Sequence, residues 1–438
     1  MSTEKTFNIL YLQSHDTGRY IQPLGHNVST PHLQRLAEEG VLFRQAHCAG
    51  PTCSPSRAAL LTGQAPHSCG MVGLGHLGVQ LNDFSKHIVH TLKDVGYHTA
   101  ILNPGSQHVA PRTEMIGYDE LVPAEGKKRE ESAVRFLRDG PEEPFFFSVG
   151  FGDTHRRFEE PACTSPATDP RYVSPPPPVP DTPRTREDMA GFNTSCQTLD
   201  ARMGAVLETL DETGLAENTL VICTTDHGIA FPYMKCNLTD HGTGVFLIMR
   251  GPGGISGGKV CDSLVSQVDI FPTICELLGI DRPDWLQGRS LAPILTGEAD
   301  TIREAVFAEI NYHVCYEPQR SVRTDRYKYI RRFGERTRPV LPNCDDGPSK
   351  DLWMEAGWAE RPHDEEQLYD LVFDPNETNN LAGEASHRDV LGTMRRRLQE
   401  WMQRTDDPLL EGKVPIPSGA KLISPDAMSN HTGFHEVE

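Results

Sequence analysis

The sequence contains no apolar stretch approaching the roughly 18 residues that a membrane-spanning helix requires. Residues 1–6 are polar or charged for the most part, and no apolar segment of a secretion signal follows them. From these absences we expect a soluble, cytoplasmic protein without a membrane partner. The eleven cysteines include no Cys-x-x-Cys pair, so reduced thiols are favoured over a disulfide framework or a zinc ribbon.

Positive charge is also scarce in this sequence. The 438 residues include 42 Lys and Arg against 61 Asp and Glu, which gives a formal net charge of -19. This balance disfavours nonspecific binding to nucleic acid or to an anionic membrane. An anionic substrate therefore has to meet a local basic pocket.

Short apolar runs alternate with helical patterns through the first two thirds of the chain. The runs typical of buried strands are residues 7–12, 99–102, 144–151, 219–225 and 245–249. Strands that are apolar along their whole length are typical of parallel sheets covered on both faces. We therefore predict an α/β fold with a large, mostly parallel central sheet flanked by helices.

The pattern changes after about residue 301. Short strands with polar alternation are predicted at residues 304–310, 320–322, 327–331 and 367–370, before an amphipathic helix around 390–401. This pattern predicts a small antiparallel sheet with a packed helix. We expect a catalytic α/β domain at residues 1–300 and an α+β subdomain at residues 301–438, because one core rarely serves so long a chain.

The most specific pattern is at residues 53–63, Cys-Ser-Pro-Ser-Arg-Ala-Ala-Leu-Leu-Thr-Gly. Pro55 fixes its φ angle and lacks a backbone donor, so it suits the first turn of a helix that continues past Arg57. Cys53 then lies at a helix N-terminus, where backbone N–H groups and the helix dipole favour an anion or a lowered thiol pKa. The alternative is a small buried cysteine before an ordinary helix.

Polar side chains directly follow two of the predicted strands. Residues 14–18 (Ser-His-Asp-Thr-Gly) follow the first apolar run, and residues 226–228 (Asp-His-Gly) follow the run that ends at Thr225. Catalytic groups in open α/β sheets gather at the carboxyl ends of strands. These carboxylates and imidazoles can converge on one cation, although an isolated Asp-His-Gly is more often a turn.

The pattern C-x-P-S-R-x-x-x-L-T-G resembles the signature of the type I sulfatases, members of the alkaline phosphatase superfamily. Matching segments extend from Asn8 to about Asp407, and the sequence is most similar to the sulfamidase (heparan N-sulfatase) branch. In this family a maturation enzyme oxidises the signature cysteine to Cα-formylglycine, whose hydrated aldehyde attacks sulfur. The resemblance implies that Cys53 is the precursor of the nucleophile and that Arg57 holds the formylglycine oxygen.

The same resemblance implies a metal site. Sulfatases usually have two adjacent aspartates after the first strand and an Asp-Asn or Asp-His pair after the later one, which matches Asp16, Asp226 and His227. His15 occupies the position of the first aspartate and departs from the commonest pattern. One divalent ion is expected, Ca²⁺ by resemblance, while a ligand set with up to two imidazoles also suits Mn²⁺ or Zn²⁺.

Three further catalytic residues are implied by the family pattern. His108 resembles the histidine of a Gly-Lys-x-His segment and would act on the formylglycine hydroxyl, with Ser106 in place of the lysine. His155 matches the histidine that contacts the sulfate and protonates the leaving group, and Lys235 matches the sulfate-binding cation. Taken alone, His108 would be an ordinary loop residue and Lys235 a surface lysine.

The resemblance thus implies a metal-dependent sulfatase that hydrolyses a sulfate ester or a sulfamate. Its expected partners are a small sulfated or phosphorylated substrate, a formylglycine-generating enzyme and, as in relatives, further copies of itself. A phosphonate monoester or phosphodiester hydrolase stays open because of the histidine-containing metal site and Ser106. An inactive anion- or sugar-binding relative stays open because of His15 and Ser106. Tyr312, His313 and Arg320 are further candidates for the substrate pocket.

Overall fold

The computed structural model describes residues 6–103, 108–124, 128–158 and 167–437, and its main element is an eight-stranded sheet. In chain order the strands are β1 (Asn8–Ser14), β2 (Val41–His47), β3 (His98–Asn103), β4 (Glu120–Pro123), β5 (Phe145–Phe151), β6 (Thr219–Thr225), β7 (Leu247–Arg250) and β8 (Lys259–Ser266). They lie in the order β4-β3-β5-β1-β6-β7-β2-β8. All of them run in one direction except β7, which is antiparallel to both of its neighbours. The predicted large, mostly parallel sheet is confirmed.

Helices pack against both faces of this sheet. In chain order the helices of the described residues are α1 (Pro31–Glu39), α2 (Cys53–Thr62), α3 (Pro66–Cys69), α4 (Ile88–Asp94), α5 (Arg129–Arg138), α6 (Pro183–Glu212), α7 (Asp240–Thr243), α8 (Ile270–Leu278), α9 (Ala292–Thr296), α10 (Pro348–Glu355) and α11 (Arg388–Arg404). Alternate residues of β1 face opposite layers, because successive side chains of a strand point to opposite sides. Ile9 and Tyr11 belong to the core that contains α2, α4 and α8, whereas Leu10 and Leu12 belong to the core that contains α1, α5 and α6.

The sequence does not predict β2 and β8, which form one end of the sheet. Both strands carry exposed charged side chains, such as Arg44 and Asp262, which interrupt their apolar patterns. The predicted strand at residues 245–249 corresponds to β7 at Leu247–Arg250. Its reversed direction is not visible in the sequence, because hydrophobicity does not encode strand direction.

The second sheet is antiparallel and has four strands, β9 (Val306–Tyr312), β10 (Tyr316–Arg323), β11 (Tyr327–Arg332) and β12 (Glu366–Asp370), in the order β12-β11-β10-β9. One face packs against α11 through Leu391, Met394 and Leu398, and the other packs against Leu238 in the loop after β6. A two-stranded ribbon, β13 (Lys421–Leu422) and β14 (His435–Glu436), follows near the end of the chain. The predicted small sheet with a packed helix is confirmed, and the boundary at residue 300 stays a prediction.

Across the described ranges, no helix combines the length and the apolar character needed to cross a membrane.

Candidate active site

The start of α2 is fixed by hydrogen bonds from two serine side chains. The Ser54 hydroxyl accepts a hydrogen bond from the Gly75 N–H at 2.9 Å, and the Ser56 hydroxyl donates to the Asp226 carbonyl at 2.5 Å. Residues 54–62 of the helix are buried, while Cys53 at its first position is only half-buried. The Cys53 sulfur lies 3.5 Å from His227 Nε2. The signature cysteine therefore lies at a helix N-terminus, as the sequence predicts.

Two carboxylates meet at the carboxyl ends of β1 and β6. These strands are parallel neighbours whose register aligns Ser14 with Thr225, so the chain leaves both strands at the same edge of the sheet. Asp16 adopts a left-handed backbone conformation (φ 48°), and its N–H donates to Asp226 Oδ1 at 2.8 Å. The His227 N–H donates to the same oxygen at 2.9 Å. Asp226 thus holds the backbone of both loops together.

Four side chains form a group that fits a divalent cation. Asp16, Cys53, Asp226 and His227 each offer one ligand atom, and these atoms all lie within 4.8 Å of one another. Asp16 Oδ1 is buried and makes no hydrogen bond with the described residues. His227 Nδ1 lies 3.0 Å from the Gly228 carbonyl, to which it can only donate, so loss of the Nε2 proton to a bound cation would turn a lone pair at Nε2 toward the group.

The electrostatics of this group also favour a bound positive charge. His227 Nε2 lies 3.4 Å from Asp16 Oδ1 and 3.5 Å from Asp226 Oδ2. Burial lowers the pKa of His227, but the Asp226 and Asp16 carboxylates raise it more, to about 9. Two buried carboxylates facing one imidazole therefore call for a cation, and the mixed oxygen and nitrogen donors suit Ca²⁺, Mn²⁺ or Zn²⁺.

Two buried cationic side chains flank the carboxylates. Arg57 Nη2 lies 2.5 Å from Asp226 Oδ2, while Arg57 Nε and Nη1 have no hydrogen-bond partner among the described residues. Lys235 Nζ lies 2.8 Å from Asp16 Oδ2 and 3.0 Å from Asp345 Oδ2. Burial lowers the pKa of Lys235, but these two carboxylates raise it well above its ordinary value, so the side chain is charged.

Three histidines lie beside the carboxylates. The His15 ring is 5.5 Å from the His108 ring and 6.0 Å from the His155 ring, and His155 Nε2 lies 4.0 Å from Asp16 Oδ2. Burial, with Arg57 nearby, lowers the pKa of His108 to about 3 and that of His15 well below its ordinary value. Both rings are therefore neutral. His15 is not among the four residues whose ligand atoms lie within 4.8 Å of one another, and its role as a metal ligand stays a prediction.

The structure therefore brings the sequence-predicted residues into one connected cluster at the edge of the large sheet. Ser106 lies outside the described residues. Of the three candidates in the small-sheet region, Tyr312 donates to the Val414 carbonyl and Arg320 pairs with Asp407, so both have structural partners. His313 is buried, which lowers its pKa to about 3.

Two residues of the site were missed from the sequence. Asp345 contacts Lys235, and its other oxygen accepts a hydrogen bond from Asn430 Nδ2 at 3.0 Å. Asp345 lies in an irregular loop after β11, and Asn430 lies in the loop between β13 and β14. Neither residue follows an apolar strand or belongs to the signature, so no sequence pattern indicated that Asp345 meets Lys235 or that Asn430 meets Asp345.

Comparison with known proteins identifies the family. A model of the sulfatase family matches residues 8–280, and a model described as "N-sulphoglucosamine sulphohydrolase, C-terminal" matches residues 231–349. Human N-sulphoglucosamine sulphohydrolase is 32% identical, with 92% of this chain and 91% of the relative covered. The chain therefore belongs to the sulfatase family, and the enzyme class that follows from this membership is sulfuric ester hydrolase.

Solved structures agree with this fold. A putative sulfatase from Bacteroides thetaiotaomicron superposes with a TM-score of 0.72 at 24% identity, covering 94% of this chain and 95% of the other. The phosphonate monoester hydrolase of Agrobacterium radiobacter superposes with a TM-score of 0.66 at 19% identity, covering 91% of this chain and 96% of the other. At these identities the superpositions establish the fold alone.

Proposed function

We propose that this protein is a metal-dependent sulfatase that removes sulfate from an oxygen or nitrogen of a sulfated sugar, with a nucleophile derived from Cys53. The observation that carries the proposal is the half-exposed Cys53 at the start of α2, grouped with a buried Asp16 oxygen that makes no hydrogen bond within the described part of the chain. The name of the human relative, similar over 92% of this chain, supports an N-linked sulfate on an amino sugar as the substrate.

In this proposal Asp16, Asp226 and His227 hold the divalent cation next to the modified Cys53. When bound, such a cation supplies positive charge to the sulfate and lowers the pKa of an oxygen nucleophile. The formylglycine hydrate supplies that oxygen, in place of a thiol. Lys235 and Arg57 orient the two aspartates through the contacts of 2.8 and 2.5 Å.

Lys235 is the group proposed to bind the sulfate. Its ammonium has three N–H donors, and two of them face Asp16 and Asp345. The third donor is available to a sulfate oxygen, and charge that develops on this oxygen in the transition state is stabilised most strongly by a buried, preorganised donor. The two carboxylates fix the direction of this donor before the substrate arrives.

His155 is proposed to donate a proton to the leaving oxygen or nitrogen. Its side chain is 40% exposed, so it lies at the mouth of the site, and its Nδ1 donates to the Arg156 carbonyl at 2.5 Å. In the protonated ring, Nε2 therefore carries the proton that can be transferred. His108 is neutral, so in this proposal its unprotonated ring nitrogen accepts a hydrogen bond from a hydroxyl of the modified Cys53 side chain.

The first test is the mass of the peptide that contains Cys53, from protein produced aerobically with a formylglycine-generating enzyme. We expect a loss of about 18 Da, because the CH₂SH group is replaced by CHO. We also expect Cys53→Ala to lower kcat/KM for a glucosamine N-sulfate by at least about 10³-fold. Cys261→Ala, at a thiol on the peripheral strand β8, serves as the matched control and should retain activity.

A comparison of substrates distinguishes a sulfatase from a hydrolase of phosphorus esters. The mixed oxygen and nitrogen donors and the superposition with a phosphonate monoester hydrolase keep a phosphorus ester as the second candidate. Rates should be compared for a sulfamate, an O-sulfate, an aryl phosphonate and a phosphodiester under the same conditions. A preference for the phosphorus esters would replace the sulfatase assignment, and an unmodified, inactive thiol would favour a binding protein.

A further inference from the structure

A cleft lined by arginines lies apart from the catalytic cluster. It has a volume of about 980 Å³ and is bounded on one side by α11 and on the other by residues 286–289 and 301–305. Ala65, just beyond the C-terminal end of α2, also lines the cleft. The cleft therefore lies near the opposite end of this helix from Cys53. Its charged lining consists of Arg289, Arg303, Glu304, Arg396, Arg397, Glu400 and Arg404. We refer to it as the arginine cleft.

The balance of charge in the arginine cleft is opposite to that of the chain. Five arginines line it against two glutamates, whereas the whole chain has a net charge of -19. Arg396 and Arg404 are exposed and form no ion pair with the described residues. The side chain of Arg303 is only 10% exposed and pairs with Asp269, yet its Nε is buried and lacks a hydrogen-bond partner within the described part of the chain.

Two aromatic side chains line the cleft, Phe307 and Trp401, with their rings stacked at a centroid distance of 5.1 Å and an interplanar angle of 5°. Trp401 is buried, whereas Phe307 is partly exposed. Guanidinium groups bind sulfate through paired N–H donors, and the exposed part of Phe307 offers an apolar surface to the C–H groups of a sugar ring. A ligand with both features is a sulfated carbohydrate.

We propose that the arginine cleft binds a segment of a sulfated oligosaccharide outside the active site. The choice of a sulfated sugar over other polyanions rests on the proposed function. An oligosaccharide that is bound in the cleft has its other end held near the catalytic cluster. Its binding to the active site then becomes intramolecular, so the local concentration of substrate there rises. The cleft also gives this protein, whose net charge is negative, a local positive surface that attracts an anionic polymer.

Direct binding to catalytically silent protein tests this proposal. The full-length Cys53→Ala variant is titrated with a heparin-derived hexasaccharide by calorimetry at low ionic strength. We expect Arg404→Glu to raise Kd by about 5-fold and Arg396→Glu with Arg404→Glu to raise it by at least about 20-fold, because each change reverses a charge that faces the ligand. Stronger salt should weaken binding to the parent protein.

The matched control is Arg388→Glu, an exposed arginine on α11 that does not line the cleft. It makes the same change of net charge on the same helix, so Kd should stay within about 2-fold of the parent value. Arginine and glutamate have similar helix propensities, and the folding of each variant is checked by its melting temperature. A competition arm adds a DNA duplex that carries the same number of negative charges as the hexasaccharide.

Three outcomes would overturn the proposal. They are no binding to the parent protein, an equal loss in Arg388→Glu and in the cleft variants, or DNA binding as tight as the hexasaccharide. Because the assay requires no turnover, its result does not depend on whether the proposed sulfatase reaction occurs. Binding of the hexasaccharide through Arg396 and Arg404, together with no hydrolysis of any sulfamate or O-sulfate by formylglycine-containing parent protein, would refute the proposed function and leave the cleft proposal standing.

Discussion

Two buried lysines in this protein have similar settings and different degrees of hydrogen bonding. Lys235 lies between Asp16 and Asp345, with its Nζ at 2.8 and 3.0 Å from their oxygens. Lys328 lies between Asp240 and Glu377, at 2.5 and 3.6 Å, but it also donates to the Leu238 carbonyl at 2.9 Å. Lys328 therefore has protein partners for its three donors, whereas Lys235 contacts two acceptors among the described residues, which leaves one donor for the proposed ligand.

Two buried arginines show the same contrast. Arg320 uses Nε and Nη2 to bind Asp407, and its Nη1 donates to backbone carbonyls. Arg57 binds Asp226 through Nη2, and its Nε and Nη1 lack partners among the described residues. Buried polar groups without partners are costly, so a protein retains them where a ligand completes them. Buried atoms without a hydrogen-bond partner also occur elsewhere, as at Arg303 Nε and Arg323 Nε, so those of Arg57 and Asp16 point to a ligand because they lie beside the grouped carboxylates and His227.

Removing each lysine in turn gives the largest expected difference. We expect Lys235→Met to lower kcat/KM by about 10²- to 10³-fold, because a preorganised donor to the sulfate is lost. We expect Lys328→Met to lower the free energy of unfolding by about 3 kcal/mol, because buried Glu377 loses its cation and Asp240 loses its nearest one, keeping Arg323 at 3.3 Å. Steady-state kinetics and denaturant titration of both variants measure the two effects. Equal kinetic losses per folded molecule would contradict the distinction.

Replacing one aspartate at the candidate metal site and one in a structural ion pair gives a smaller expected difference between variants. Asp16→Asn should weaken binding of the divalent ion by at least about 10-fold, because a charged oxygen ligand is lost. Asp407→Asn should destabilise the fold without changing metal affinity, because it leaves Arg320 unpaired. The measurements are metal content after dialysis and the rise in melting temperature on adding the ion, which follows from mass action. A chelator should abolish the activity of the parent protein, and unimpaired metal uptake by Asp16→Asn would remove this residue from the site.

The smallest expected effect concerns the pH dependence of stability near Lys328. Burial raises the pKa of Glu377 from 4.5 to about 7, against the opposing effect of Lys328. The folded state therefore keeps this proton more tightly than the unfolded state, so the contribution to stability is lost as pH rises from about 4.5 to about 7. The melting temperature of Glu377→Gln should gain a few °C relative to the parent over this window. The exposed Glu384→Gln is the control, and a constant difference across pH would exclude Glu377 as the titrating group.

The central strands and the signature helix could be predicted from the sequence for a physical reason. β1, β5 and β6 are buried on both faces, so their residues form unbroken apolar runs. The strands β2 and β8 were missed because exposed charges interrupt them, as at Arg44 and Asp262. The direction of β7 could not be predicted from the sequence either, because an antiparallel strand differs from a parallel one in its connections and not in its side chains.

The candidate site could be predicted where its residues directly follow strands or belong to the signature. Asp16, Asp226 and His227 follow strand ends, and parallel pairing of β1 with β6 brings them together. Asp345 and Asn430 come from loops that reach Lys235 only through the packing of the small-sheet region, and such long-range contacts leave no local pattern. The family resemblance also made His15, which precedes Asp16, a candidate metal ligand. In the fold the His15 ring lies beside the rings of His108 and His155.

The antiparallel β7 has a consequence for how this enzyme can diversify. Because β7 runs opposite to β6, the loop at residues 226–246 leaves and re-enters the sheet at the same edge, without a crossover helix. This loop carries Asp226 and His227, two of the three proposed metal ligands, and the sulfate-binding candidate Lys235. Most of its residues are buried, Leu238 packs against the small sheet and Asp240 pairs with Lys328. The loop thus joins the proposed anion site to the small sheet, so we expect its function to diversify through single side chains and not through exchange of the whole segment.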